Sequence, residues 1–159
     1  MTKINLLYGQ GDYMSGHINI DPLAEDNPKL IRGDWKNLDE WVEDAEATSI
    51  LALHGVVEYI PRTQIDDVVD HWVKKLRHGG TLVVNFMDCY EIAKEFVAFN
   101  TPLTEFNEFL HGQQENKTLV KTCSFTTHGF AEYLSVAHGL EIIKKRINGF
   151  DATVEARRP

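Results

Sequence analysis

Lys3 to Pro22 reads KINLLYGQGDYMSGHINIDP: two short apolar runs, a Gly-x-Gly turn at Gly9 and Gly11 between them, and Asp21 closing the second run. Glycine lets backbone approach a ligand closely, and a carboxylate at a strand's end can accept the hydroxyl protons of a ribose. The stretch therefore reads as one side of a nucleoside pocket. The connection after Gly11 is only DYMSGH, too short for the crossover helix of about a dozen residues that parallel strands usually need. A loop is expected in its place. Dinucleotide folds seat a pyrophosphate on that helix's N-terminus, and the third glycine of Gly-x-Gly-x-x-Gly is here Met14. NAD and FAD are thereby disfavoured, while a nucleoside without a pyrophosphate is not.

The chain has 159 residues, 43% of them hydrophobic, the length and composition of one ordinary domain, so 1–159 is read as a single domain. Its formal net charge is −8, from 24 acidic and 16 basic side chains, with no basic run longer than the three residues 144–146. Nucleic-acid affinity rests on clustered positive charge, so that partner is not expected. Cys89 and Cys123 stand alone and suggest neither zinc nor disulfides; both are expected to be buried thiols. None of the seven histidines stands in a ligand pattern on an expected helix, so no metal is assigned. No window approaches 18 apolar residues, and the N-terminus does not read as a signal peptide. A cytoplasmic protein without a membrane partner is expected.

Lys3–Tyr8 and His17–Asp21 are read as buried strands, with KLIRGD, 29–34, as a third. Asn37 and Glu40 form a capping pattern ahead of Leu38, Trp41 and Val42 at helical spacing. Thr48–Gly55 is a strand. The clearest helix is expected from Thr63, with Asp66 in the reciprocal capping position, to Gly79 and Gly80, and Thr81–Phe86 is the next strand. Helices are then expected from Asp88, over 101–110, and over 127–138 with Phe130, Leu134 and Ala137 inward. HGQQENKTLVK, 111–121, is a loop, and Asn148-Gly149 marks a hairpin. Such an order gives an α/β, mostly parallel sheet with a terminal antiparallel hairpin.

With these elements placed, the sequence resembles the small class I S-adenosylmethionine-dependent methyltransferases, in a bacterial branch linked to glycan and cell-surface biosynthesis. INLLYGQG and GHINID match that branch's Leu-Asn-Leu-Gly-Cys-Gly and Gly-Tyr-Ile-Asn-Val-Asp. Gly33-Asp34 matches its second acidic position, LHGVVEYIP its Ser-His-Val-Leu-Glu-His-Ile-Pro, and HGGTLVVNFMD its Pro-Gly-Gly-x-Leu segment. FTTHGFAEYLSVAHGLEII resembles its closing helix and strand. Tyr8, Gln10, Gly55 and His78 depart from the pattern.

The resemblance implies a Rossmann-like sandwich and an S-adenosyl-L-methionine site formed by Tyr8, Gly9, Gln10, Gly11, Asp21, Asp34, Trp35 and His54. Asp21 would bind the ribose, Asp34 the adenine amino group, with Trp35 beside the ring. Tyr13, Met14 and His17 either cover that site or pad the surface. The implied reaction is methyl transfer to a small-molecule or glycan-type acceptor, chiefly at a hydroxyl. His54 is the first candidate base, because imidazole titrates near neutrality, and Glu58 the second. No Asn-Pro-Pro-Tyr or Asp-Pro-Pro-Tyr tetrapeptide is present, which argues against base methylation. The rival reading is a non-catalytic binding module that keeps the fold. A homodimer could use the hairpin edge or the aromatics Phe99, Phe106 and Phe109.

Overall fold

A computed structural model describes residues 1–9, 11–25 and 27–159. Six strands form one sheet: β1 Lys3–Leu6, β2 Ile18–Ile20, β3 Ala47–Ala52, β4 Leu76–Met87, β5 Glu141–Asn148 and β6 Asp151–Arg157, in the order β2-β1-β3-β4-β6-β5. The first four run parallel, and β6 runs antiparallel to both of its neighbours, β4 and β5. Helices α1 Ile65–Lys75, α2 Cys89–Val97, α3 Leu103–His111 and α4 Thr127–His138 complete the fold. Ile4, Leu6, Ile50, Leu82, Val84, Trp72, Phe86, Phe130 and Leu134 are fully or almost fully buried in one core. Among the described residues no helix is long and apolar enough to cross a membrane.

The short link from β1 to β2 is a loop, as its length requires, and two buried asparagines hold it. Asn5 and Asn19 are register partners on β1 and β2, and the Asn5 amide donates to Asn19 Oδ1 at 2.8 Å. Asn19 Oδ1 also accepts the Met14 N–H at 2.7 Å, while its Nδ2 donates to the carbonyls of Met14 and His17. A crossover helix would satisfy its own backbone; here one side chain does that for the loop.

Two expected elements are absent. The run 29–34 shrinks to a single bridge between Ile31 and Ile20, with Ile31 itself exposed, because the residues around it turn rather than extend. The segment opening at Asn37 is a series of turns, not a helix. Leu38 N–H donates to His71 Nε2 at 2.8 Å, and Asp39 N–H donates back to the Asn37 side chain, so the capping residue closes a local turn. Burial depresses the pKa of His71, which keeps it neutral and able to accept. Lys75 Nζ then gathers Asp39 at 2.6 Å and Asp44 at 2.7 Å, fixing the segment's far end. The apolar residues that suggested a helix, Leu38 and Val42, are buried all the same.

The helix expected from Thr63 begins at Ile65 after a short 3-10 turn, and no side chain caps it. It ends at Lys75 rather than at the glycine pair, which lies in a bulge where β4 slips against β3. Its last carbonyls take the Arg158 guanidinium, which donates to Val73 and Lys74, each at 3.2 Å, and to Leu76. On α4 it is Ala131, not Ala137, that is buried with Phe130 and Leu134, since Ala137 faces outward. Cys123 is buried but Cys89 only half so. Phe99 is 96% exposed, whereas Phe106 stacks on Phe96 and Phe109 packs against Phe150.

Asp88 is the buried joint between β4 and two helices. Its Oδ1 accepts the N–H groups of Tyr90 and Glu91 at the start of α2, and its Oδ2 accepts the N–H and hydroxyl of Thr127 at the start of α4. Burial pushes its pKa up, but the Thr127 and α2 hydrogen bonds outweigh that and hold it below the usual carboxylate range.

Replacing Asn19 by Ala leaves the Met14 N–H without its acceptor and Asn5 without its neighbour. The expected loss is about 2–4 kcal/mol of unfolding free energy, measured by urea denaturation, with faster hydrogen exchange at Met14. A loss below about 0.5 kcal/mol would show that the pair does not hold the loop.

Candidate functional site

The chain goes from β1 to β2 on one side and then returns to place β3 on the other, so the switch point of this sheet lies between β1 and β3. Open parallel sheets bind ligands in the crevice outside the carboxyl ends of strands at such a point. Here Gly11, after β1, meets His54, after β3. Gly11 has φ +93°, and a Cβ there would lie 2.4 Å from His54 Cδ2, so the imidazole occupies the room glycine leaves. His54 is itself left-handed at φ 60° and exposed, a costly conformation for a residue with a side chain.

Asp21 ends β2, 4% exposed, with its carboxylate turned into the glycine turn. Gly9 N–H faces both oxygens at 3.1 and 3.0 Å, and Leu23 N–H donates to Oδ1 at 2.8 Å. These two donors, the ones found among the described residues, leave lone-pair capacity on the carboxylate. The turn is thus braced by the very residue expected to hold a ribose. Gln10 lies outside the described residues.

Beside this turn is a cavity of about 490 Å³, lined by Tyr8, Pro22, Leu23, Arg32, Gly33, Asp34, Trp35, Lys36, Tyr59 and Pro61. Its volume lies in the range of small-ligand sites. Asp34 is exposed at it, with Oδ1 accepting its own Lys36 N–H at 2.9 Å. Trp35 is placed differently from a base shelf. It is 3% exposed, sits edge-on to Trp72 with ring centres 6.3 Å apart, and accepts the Trp72 indole N–H on its carbonyl. Its own indole N–H has no partner among the described residues. Tyr13 is partly exposed under the Lys29 ammonium, Met14 is partly exposed as well, and the loop carrying both is held by Asn19.

A second cavity of about 220 Å³ adjoins it, lined by His54, Gly55, Glu58, Tyr59, Asn85, Phe86, Met87, Lys121 and Asp151. Both expected catalytic side chains therefore face one space. Glu58 is 3% exposed and pairs with Lys121 Nζ at 3.3 Å; Lys121 also donates to the Phe109 carbonyl at 3.0 Å. Burial raises the Glu58 pKa, and Lys121 pulls it back only in part. The backbone carbonyl of Glu58 accepts the N–H groups of Thr122 and Cys123, tying the segment that carries Lys121 to the turn that carries Glu58. The glycine at position 55 is required here: it has φ +76°, and a Cβ would lie 2.5 Å from Glu58 Oε2.

Two site residues escaped the sequence. Lys121 lies in a polar loop whose lysines look alike, and only its pairing with Glu58 across 63 positions distinguishes it. Tyr59 lines both cavities and stacks on Tyr8 at 4.6 Å. Tyr8 in turn donates its hydroxyl to the Thr118 carbonyl at 2.7 Å, with its own pKa raised by burial and by the Asp21 charge. Among the described residues no three His, Cys, Asp or Glu side chains gather as a metal site.

No protein-family model and no curated protein matches the sequence. Solved structures do. Over 99% of this chain and 72% of the other, the fold superposes on the 1,6-didemethyltoxoflavin-N1-methyltransferase of Burkholderia thailandensis, solved with 1,6-didemethyltoxoflavin and S-adenosylhomocysteine, at TM-score 0.62 and 12% identity. A S-adenosylmethionine-dependent methyltransferase of Methanosarcina mazei matches 82% of this chain at TM-score 0.54 and 11% identity. An O-methyltransferase family protein of Burkholderia thailandensis matches 81% at TM-score 0.54 and 14% identity. The chain spans 66% and 35% of the length of the last two. These likenesses establish the Rossmann-like methyltransferase fold, with its mostly parallel sheet and antiparallel C-terminal hairpin.

Glu58 gives the site a pH signature. Its folded pKa stands above its unfolded one, so the folded state holds the proton more tightly, and the stability this contributes is lost as pH rises through the folded pKa. Glu58→Gln cannot ionise and should gain stability relative to the wild type as pH rises from about 4 to about 7. Urea unfolding of both proteins across that range measures the difference, and a difference that stays constant would contradict the raised pKa.

Proposed function

We propose that this protein is an S-adenosyl-L-methionine-dependent methyltransferase acting at a hydroxyl of a small-molecule or glycan-type acceptor. The observation that carries the reading is the crevice itself: the Asp21-braced glycine turn and the nucleoside-sized cavity lie together at the carboxyl ends of β1 and β2. Asp21 retains acceptor capacity for ribose hydroxyls and Asp34 stands at the cavity for an amino group, so the residues present fit a nucleoside. The bound cofactor supplies a methyl already activated on a sulfonium.

The chain's task is then alignment and proton removal. Gly9, Gly11, Asp21 and Asp34 hold the nucleoside half, and the smaller polar cavity receives the acceptor. His54 takes the hydroxyl proton on an imidazole nitrogen. Glu58, fixed by Lys121, adds a polar group to a lining that also includes the apolar Phe86. The acidic net charge of the chain supports an acceptor other than nucleic acid or an anionic membrane surface.

Calorimetry with S-adenosylhomocysteine tests the cofactor. Micromolar to submillimolar binding is expected, weakened about tenfold or more by Asp21→Ala, which removes charge-assisted hydrogen bonds. No binding at millimolar ligand would sink the proposal. Binding without transfer to any acceptor would leave a module that only retains the cofactor.

The base is tested separately, with an acceptor in hand. His54→Ala should lower turnover by about a hundredfold or more, with cofactor affinity changed far less. Unchanged turnover would remove His54 from that role.

A further inference from the structure

We infer that Tyr59 is the nucleobase platform of this site, the place that the family resemblance gives to Trp35. The inference rests on the cofactor reading above. Trp35 is already spent on the core: its ring meets Trp72 edge-on, its carbonyl holds the Trp72 indole, and only 3% of it is exposed. A ring so enclosed has no free face against which a purine can lie.

Tyr59 has what Trp35 lacks. It is half-buried and lines the larger cavity, while also reaching the smaller one, so it stands where donor and acceptor would meet. Its position is rigid. It closes the 3-10 turn Val56–Tyr59 between the buried Val57 and Ile60, and its neighbour Glu58 is fixed at both side chain and carbonyl. Its hydroxyl makes no hydrogen bond among the described residues, unlike that of Tyr8, which is held by Thr118. Tyr8 stacks on one face of the Tyr59 ring at 4.6 Å with an interplanar angle of 30°, so the platform for a base is the opposite face, backed by a second ring.

Aromatic faces bind bases through their π-surfaces, and loss of one such contact costs roughly 5- to 150-fold in affinity. A purine nucleoside is the ligand class such a ring face takes, with Asp34 lining the same cavity to meet an exocyclic amino group.

S-adenosylhomocysteine is the probe, read by calorimetry and by intermolecular nuclear Overhauser effects in isotope-labelled protein. The wild type should show contacts from adenine H2 or H8 to the Tyr59 ring. Tyr59→Leu should weaken binding about tenfold or more, and Tyr59→Phe, which keeps the ring, should stay within about twofold. Wild-type binding with Tyr59→Leu equally tight, or with adenine contacts to Trp35 instead of Tyr59, would overturn the inference while leaving the cofactor reading intact. Absence of wild-type binding would overturn both. If Tyr59→Leu fails to fold, the wild-type contacts and the Tyr59→Phe affinity decide the matter.

Discussion

Everything at the ligand edge of this sheet hangs from the hydrogen bond between Asn5 and Asn19. A parallel pair joined without a helix leaves the backbone of the connecting loop with few internal partners, here the His17 N–H to the Met14 carbonyl, and burying its flanks would cost about 1–3 kcal/mol for each unmet group. Two facing asparagines solve this inside the sheet. One amide bridges the strands, and the other accepts and donates to the loop at Met14 and His17. The glycine turn is one end of that loop and Asp21 follows its other end, so the pair sets the distance between them.

The strands could be read from the chain because burial on both faces leaves a plain apolar run, and the hairpin because Asn148-Gly149 supplies the φ > 0 turn chemistry. The Asn37 segment could not be read, although its apolar spacing was helical. What overrides it is remote: His71 takes an N–H that a helix would have left for water, and Lys75 collects two of its carboxylates. Likewise the end of α1 was misplaced because its cap, Arg158, lies over 80 positions away. At the site, Gly9, Gly11, Asp21 and His54 are local to strand ends and were visible. Tyr59 and Lys121 matter only through contacts with Tyr8 and Glu58, which no spacing announces.

The departures from the family pattern are coupled rather than scattered. Gly55 allows Glu58 to fold back upon its own turn, and Lys121 then steadies the carboxylate. Tyr8 stacks on Tyr59 and holds Thr118, so the unusual residue of the glycine loop fastens the same segment that supplies Lys121 to the second cavity. His78 sits in the β4 bulge with Nδ1 2.6 Å from the Pro159 carbonyl, again a partner far along the chain.

The order of the sheet has a consequence for how the chain emerges during synthesis. β6 follows β5 in the chain yet lies inside the sheet, between β5 and β4. Until residues 151–157 have left the ribosome, β4 presents a row of open amides and carbonyls on one side, flanked by the apolar faces of Leu82, Val84 and Phe86. An unfinished strand of that kind is a template for pairing with other nascent chains.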